Sequence, residues 1–104
     1  MSRRDAYVAI ADPTRRRILD LLHAEGVLAA GDIAARFANA SRPGISRHLR
    51  MLRDCGVVQA RRSGKALLYT LRKRPLQALR SGWLAKFGDM QQDSLKALRA
   101  RIES

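Results

Sequence analysis

The chain has 104 residues, with 21 Lys and Arg against 9 Asp and Glu, a formal charge of +12 and a pI near 11.5. Domains most often run roughly 100–150 residues, so a single domain spanning 1–104 is expected and a separate catalytic domain is not. A composition of 46% hydrophobic and 29% charged residues excludes a disordered chain, the lone Cys55 excludes a disulfide framework or a Cys-rich zinc site, and 5% aromatics supply few stacking platforms for single-stranded nucleic acid.

Residues 3–11 read as a short helix with Tyr7, Ile10 and Ala11 on one face. Asp12-Pro13-Thr14 is a helix start, with Asp12 as N-cap and Pro13 at the first position, where its missing N–H costs nothing. This second helix runs to about Glu25, buries Ile18, Leu21 and Leu22, and stops at Gly26. His23, near its end, is a solvated or capping residue. Arg15, Arg16 and Arg17 crowd its first turn against the helix dipole; either phosphates hold them there or they are solvated. Residues 30–38 form a third, short helix with Ile33, Ala34 and Phe37 inward, and its start lacks a cap because Ala29 and Ala30 carry no acceptor.

Ser41 caps a fourth helix with Pro43 in its first turn, ending near Cys55 with Gly56 as the stop. At 100° per residue, Ile45, Leu49 and Leu52 fall within about 60° of one another and face the core. Pro43, Ser46, Arg47, Arg50 and Asp54 take the opposite face. Two helices joined by a short turn, the second with such a face, match a helix-turn-helix whose second element enters the major groove. Arg47 and Arg50 can each offer two donors to guanine O6 and N7, and Ser46 can reach either kind of base. Arg42 is placed for bases or backbone and Ser41 for backbone. His48 lies at the edge of the apolar face, where it orients the helix or reaches a phosphate. Cys55 reads as a small buried hydrophobe more readily than as a redox or metal sensor.

Residues 57–60 and 66–71 are strand-like, and Ser63-Gly64 between them marks a turn. The result is a hairpin with a basic tip of Arg61, Arg62 and Lys65, suited to phosphate contact, and with Tyr69 in its core. Residues 41–65 hold half the net surplus of charge. Pro75 opens the last segment, in which Leu76, Leu79, Trp83, Phe87, Met90, Leu98 and Ile102 form an apolar stripe at helical spacing, weakened at Gly82 and Gly88. A continuous helix there would span about 43 Å, too long for one small globule to cover. A second copy is the expected partner, with Tyr7 and Ile10 joining the interface; a kinked helix folded onto its own chain is the alternative.

In combination these residues carry a resemblance. Asp12-Pro13-Thr14-Arg15-Arg16-Arg17-Ile18-Leu19 resembles the opening of bacterial ArsR/SmtB-type winged-helix repressors. The run from Ser41 through Ile45-Ser46-Arg47-His48-Leu49 to Leu52 is similar to their recognition helix, and Gly56-Val57-Val58, Gly64-Lys65 and Tyr69 follow their wing. The resemblance implies a mainly α winged helix-turn-helix with a two-stranded hairpin wing and a helical dimer interface. It also implies a homodimer that represses transcription from a palindromic operator. The Cys-X-Cys metal motif of many relatives falls here on Ala29 and Gly31, and the last segment has no histidine. Soft and borderline metals need such thiolates and imidazoles, so the chain is similar to the metal-independent, SdpR-like autorepressors, and no metal or cofactor is expected.

No nucleophile motif, phosphate loop or carboxylate pair stands out, so an enzyme is the poorest reading. A nonspecific architectural nucleic-acid binder and a winged-helix protein-interaction module remain as alternatives. No apolar run approaches the roughly 20 residues of a membrane span, and Arg3-Arg4 leads into no long apolar stretch, so a cytoplasmic protein without membrane contact is expected.

Overall fold

The computed structural model describes residues 5–82. Their elements are α1 (Ala6–Ile10), α2 (Pro13–Glu25), β1 (Val27–Ala29), α3 (Ala30–Ala35), α4 (Arg42–Asp54), β2 (Val58–Ser63), β3 (Ala66–Leu71) and α5 (Lys73–Ser81). The two long helices begin and end where local chemistry directs. Asp12 is extended and its carboxylate accepts from Arg15 N, with Pro13 opening α2. Ser41 does the same for α4 through Gly44 N, with Pro43 in the first turn. Gly26 closes α2, and its N–H donates to Leu22 O. Past α4, Gly56 takes φ 76°, a left-handed conformation that a side chain would strain.

The core lies where α2, α3 and α4 meet the sheet. Ile18 and Leu22 of α2, Ile33 of α3, Ile45 and Leu52 of α4, and Val57 are the largest fully buried side chains. Burying each of these contributes roughly 1.5–3 kcal/mol relative to leaving it exposed. The face expected for α4 is present, with Ile45, Leu49 and Leu52 inside and Ser46, Arg47 and Arg50 in water.

β2 and β3 form the wing as an antiparallel hairpin that closes on the pair Ser63–Ala66. Its turn is therefore Gly64-Lys65, and Gly64 at φ 61° supplies the positive φ that a two-residue primed turn needs at its first position. The expected two-stranded wing gains a third strand. β1 pairs antiparallel with β3, Val27 opposite Thr70 and Ala29 opposite Leu68, giving the order β1-β3-β2. Three residues are too few to show an alternating pattern, and β1 exists because β3 offers it a free edge.

Other boundaries shift as well. The face of α1 is Ala6 and Ala9, both buried, while Tyr7 is 40% exposed, Ile10 half-buried and Ala11 exposed. Small residues there let α1 lie close against α2 and α5. In α2 Leu19 is buried and Leu21 only half-buried. Helix α3 stops at Ala35, and Phe37 enters the core from the turn that follows; as expected, Ala29 makes no side-chain cap. α5 begins at Lys73, ahead of Pro75, because the first turn of a helix has no N–H to lose. It ends at Ser81, and Gly82 leaves the helical conformation. The helix therefore does not continue unbroken through the apolar stripe; the break falls at one of its two glycines. Trp83, Phe87, Met90, Leu98 and Ile102 lie outside the described residues.

Candidate nucleic-acid interface

The exposed face of α4 is set by its N-terminal cap and its apolar underside. Ser41 Oγ accepts from Gly44 N at 3.1 Å, which leaves its hydroxyl hydrogen to donate outward. Arg47 runs back along the helix, its Nη2 about 4.0 Å from where a Cβ on Gly44 would sit, as side chains on helices lean toward the N-terminus. Arg50 is exposed one turn further on. Arg42 is also exposed, but its guanidinium lies over α3, with Nη2 at 3.7 Å from a Cβ built on Gly31. Among the described residues none of Arg42, Arg47 and Arg50 has an ion-pair partner. A guanidinium that makes no ion pair has its N–H donors open to an incoming anion.

The basic residues of the wing separate. Lys65 sits in the turn, but Arg61 and Arg62 belong to β2, opposite Leu68 and Leu67. Successive strand residues point to opposite faces, so Arg61 and Arg62 do not form one tip with Lys65. One at most shares a given face with it. All three are exposed.

The three arginines at the start of α2 have partners that the sequence did not reveal. Arg15 Nε donates to Ala9 O at 3.0 Å and its Nη2 to Val8 O at 2.9 Å. Arg16 Nη1 donates to Ile10 O at 2.7 Å. The last carbonyls of a helix lack intrahelical donors; these side chains supply them for Ala9 O and Ile10 O, and Val8 O, which already accepts from Ala11 N at 3.2 Å, gains a second. Arg17 stacks over the buried Phe37 ring at 5.1 Å. Arg15 is thus taken up by contacts within the chain and half-buried, while Arg16 and Arg17 make theirs and remain exposed, in line with the solvated option.

His48 is half-buried between α4 and α2. Its Nδ1 lies 3.5 Å from Arg15 Nη1 and 3.8 Å from Asp12 Oδ2. Partial burial acts to raise the Asp12 pKa, but the Arg15 N–H bond and the neighbouring His48 and Arg15 side chains outweigh it and hold the carboxyl below its usual range. A depressed carboxyl pKa stabilises the fold above the unfolded-state value of about 3.9, and that contribution fades as pH falls through the folded value. Asp12→Ala is therefore expected to lower unfolding free energy by about 1 kcal/mol near neutrality. In urea titrations the gap from the unmodified chain should close in acid; a gap that stays constant to low pH would contradict this.

Of the residues expected at a helical interface, Tyr7 is exposed, Ile10 half-buried and Leu79 already 8% exposed within its own chain. Cys55 is buried and carries no disulfide. No group of three or more His, Cys, Asp or Glu that could hold a metal occurs among the described residues.

A helix-turn-helix domain family model matches residues 10–59, the span from the end of α1 into the wing. The transcriptional repressor SdpR of Bacillus subtilis (strain 168) is 47% identical over 73 residues, covering 70% of this chain and 79% of its own. Among solved structures, a possible transcriptional regulator for arsenical resistance is 38% identical with a TM-score of 0.68, covering 90% of this chain and 92% of that one. An ArsR family transcriptional regulator is 28% identical with a TM-score of 0.69, covering 81% and 84%. With the capped recognition helix, the hairpin wing and these relatives in agreement, the chain belongs to the ArsR-type winged helix-turn-helix transcriptional regulators.

Proposed function

We propose that this chain acts as a homodimeric repressor, binding a palindromic operator in duplex DNA and excluding RNA polymerase from the promoter. The observation that carries the reading is the outer face of α4, where Ser46, Arg47 and Arg50 stand in water above a helix fixed by Ile45, Leu49 and Leu52. General attraction to phosphate needs only charge. An ordered helix with unpartnered arginines on one face is what base reading in the major groove requires. Arg47, Arg50, Ser46 and Arg42 take the base edges, while Ser41, Lys65 and one or both of Arg61 and Arg62 take phosphates. Tyr7, Ile10 and the apolar stripe beyond α5 form the contact with the second copy. The relative named a transcriptional repressor supports the direction of regulation. No helix among the described residues is long and apolar enough to cross a membrane, in keeping with action on DNA in the cytoplasm.

Selection from a random duplex library tests this reading. It should return an inverted repeat whose half-sites are centred about 10 bp apart, one helical turn, or a multiple of that. Enrichment of no common sequence would leave charge-driven, nonspecific binding as the better account. A second expectation concerns the wing. Lys65→Ala should weaken binding to operator and to random duplex alike, and reduce the slope of log K against log salt by about 1 for each protomer, about 2 for the dimer. A loss confined to the operator would make Lys65 a base-reading residue instead.

A further inference from the structure

Arg15 is held on one element and touches another. Its Nε and Nη2 are fixed on Ala9 O and Val8 O at the end of α1, so Nη1 is presented to Nδ1 of His48 on α4. The same ring nitrogen faces Asp12 Oδ2, whose carboxylate is fixed in turn by capping α2 through Arg15 N. The side chains of His48 and Asp12 are 27% and 31% exposed, so this contact is partly shielded from water. Two side chains from the start of α2, one of them anchored on α1, thus meet one imidazole nitrogen of α4.

We infer that Asp12, Arg15 and His48 form a positioning cluster that fixes how the recognition helix sits on the α1–α2 unit, and so sets operator affinity without touching DNA. The inference rests on the DNA-binding reading above. Apolar packing of Ile45, Leu49 and Leu52 decides which face of α4 meets the core, but the attraction is non-directional, so rotations of a few degrees about the helix axis are left to polar contacts. A hydrogen bond to an anchored guanidinium is directional. Side chains reach about 5–6 Å from a helix axis, so a rotation of only about 10° moves them by about 1 Å. Arg47 adjoins His48 in sequence and Arg50 follows two residues on; paired contacts to guanine depend on that geometry. α1 also packs against α5, so the cluster ties α4 to the elements proposed to meet the second copy.

The test uses three variants of the full chain, read by affinity for the selected operator across a salt series. In His48→Asn the amide oxygen falls near the position of Nδ1, in His48→Gln the amide reaches the position of Nε2, and His48→Leu has neither. His48→Asn should stay close to the unmodified chain, while His48→Gln and His48→Leu lose about tenfold, the scale of one polar contact, at unchanged salt slope and little change in thermal midpoint. A retained affinity in His48→Gln, with loss in His48→Asn, would make His48 a phosphate contact through Nε2 and overturn the inference. Three variants equal to the unmodified chain would overturn it too. Nitrogen-15 shifts of the His48 ring in the free protein provide a readout that needs no DNA. A single fixed tautomer with Nδ1 unprotonated supports the cluster; the averaged pattern of a free imidazole refutes it. If the unmodified chain prefers no duplex, the function proposed above fails, and the ring shifts then decide the cluster alone.

Discussion

Arg50→Ala is expected to weaken operator binding by about 1–3 kcal/mol for each half-site, about 5- to 150-fold each, and to leave binding to unrelated duplex nearly unchanged. The reasoning starts from the side chain's surroundings. Arg50 is exposed and has no ion-pair partner among the described residues, so its removal should not disturb the fold. Surface substitutions of this kind usually move stability by no more than about 0.5 kcal/mol. What is lost is a pair of donors aimed at a base edge, and a base edge left without its partner cannot be compensated by phosphate contacts elsewhere. Anisotropy titrations on operator and scrambled duplexes at one salt concentration measure both sides of the comparison. Equal losses on the two duplexes would place Arg50 on phosphate and would remove the division of labour between helix and wing.

Leu52→Ala acts from beneath the same helix and should cost about 2–5 kcal/mol of folding free energy. Leu52 is fully buried at the end of the apolar row that begins with Ile45, so truncation leaves a cavity that the surrounding core closes only in part. Small domains have only about 5–15 kcal/mol of stability, so this single change consumes a large share of it. Urea unfolding followed by circular dichroism should show a lower midpoint with an unchanged slope. A loss below about 1 kcal/mol would mean that α4 repacks over the gap and that its seat is softer than the burial implies.

The sequence exposed those parts of the fold that local chemistry determines. Both long helices were legible because Asp12-Pro13 and Ser41-Pro43 cap them and Gly26 and Gly56 end them, all within a few residues of the effect. The outer face of α4 was legible because helical periodicity alone separates Ile45, Leu49 and Leu52 from Arg47 and Arg50. Strand β1 was not, because three residues have no period and its partner β3 is distant in sequence. Nor was the face of α1, where five residues leave the choice of buried side to the neighbours it packs against. The arginines at the start of α2 gave a partial signal. Three positive charges set against a helix dipole demand partners, but nothing local shows that Arg15 and Arg16 find theirs at the carbonyl end of α1 and Arg17 its own on the Phe37 ring. His48 likewise sits visibly at the edge of the core, while the residues it meets, Asp12 and Arg15, are brought to it only by the packing of α4 on α2.

The most direct test of the account is fluorescence anisotropy of the unmodified chain on its selected duplex and on a scrambled duplex of the same composition, both near physiological ionic strength. Affinity without the salt concentration carries no meaning for so basic a protein. A preference of about a thousandfold or more for the selected duplex is the predicted result, the range of a sequence-specific regulator. Equal affinity for both, falling steeply with salt, would contradict it and would reduce the arginines of α4 to a general positive surface.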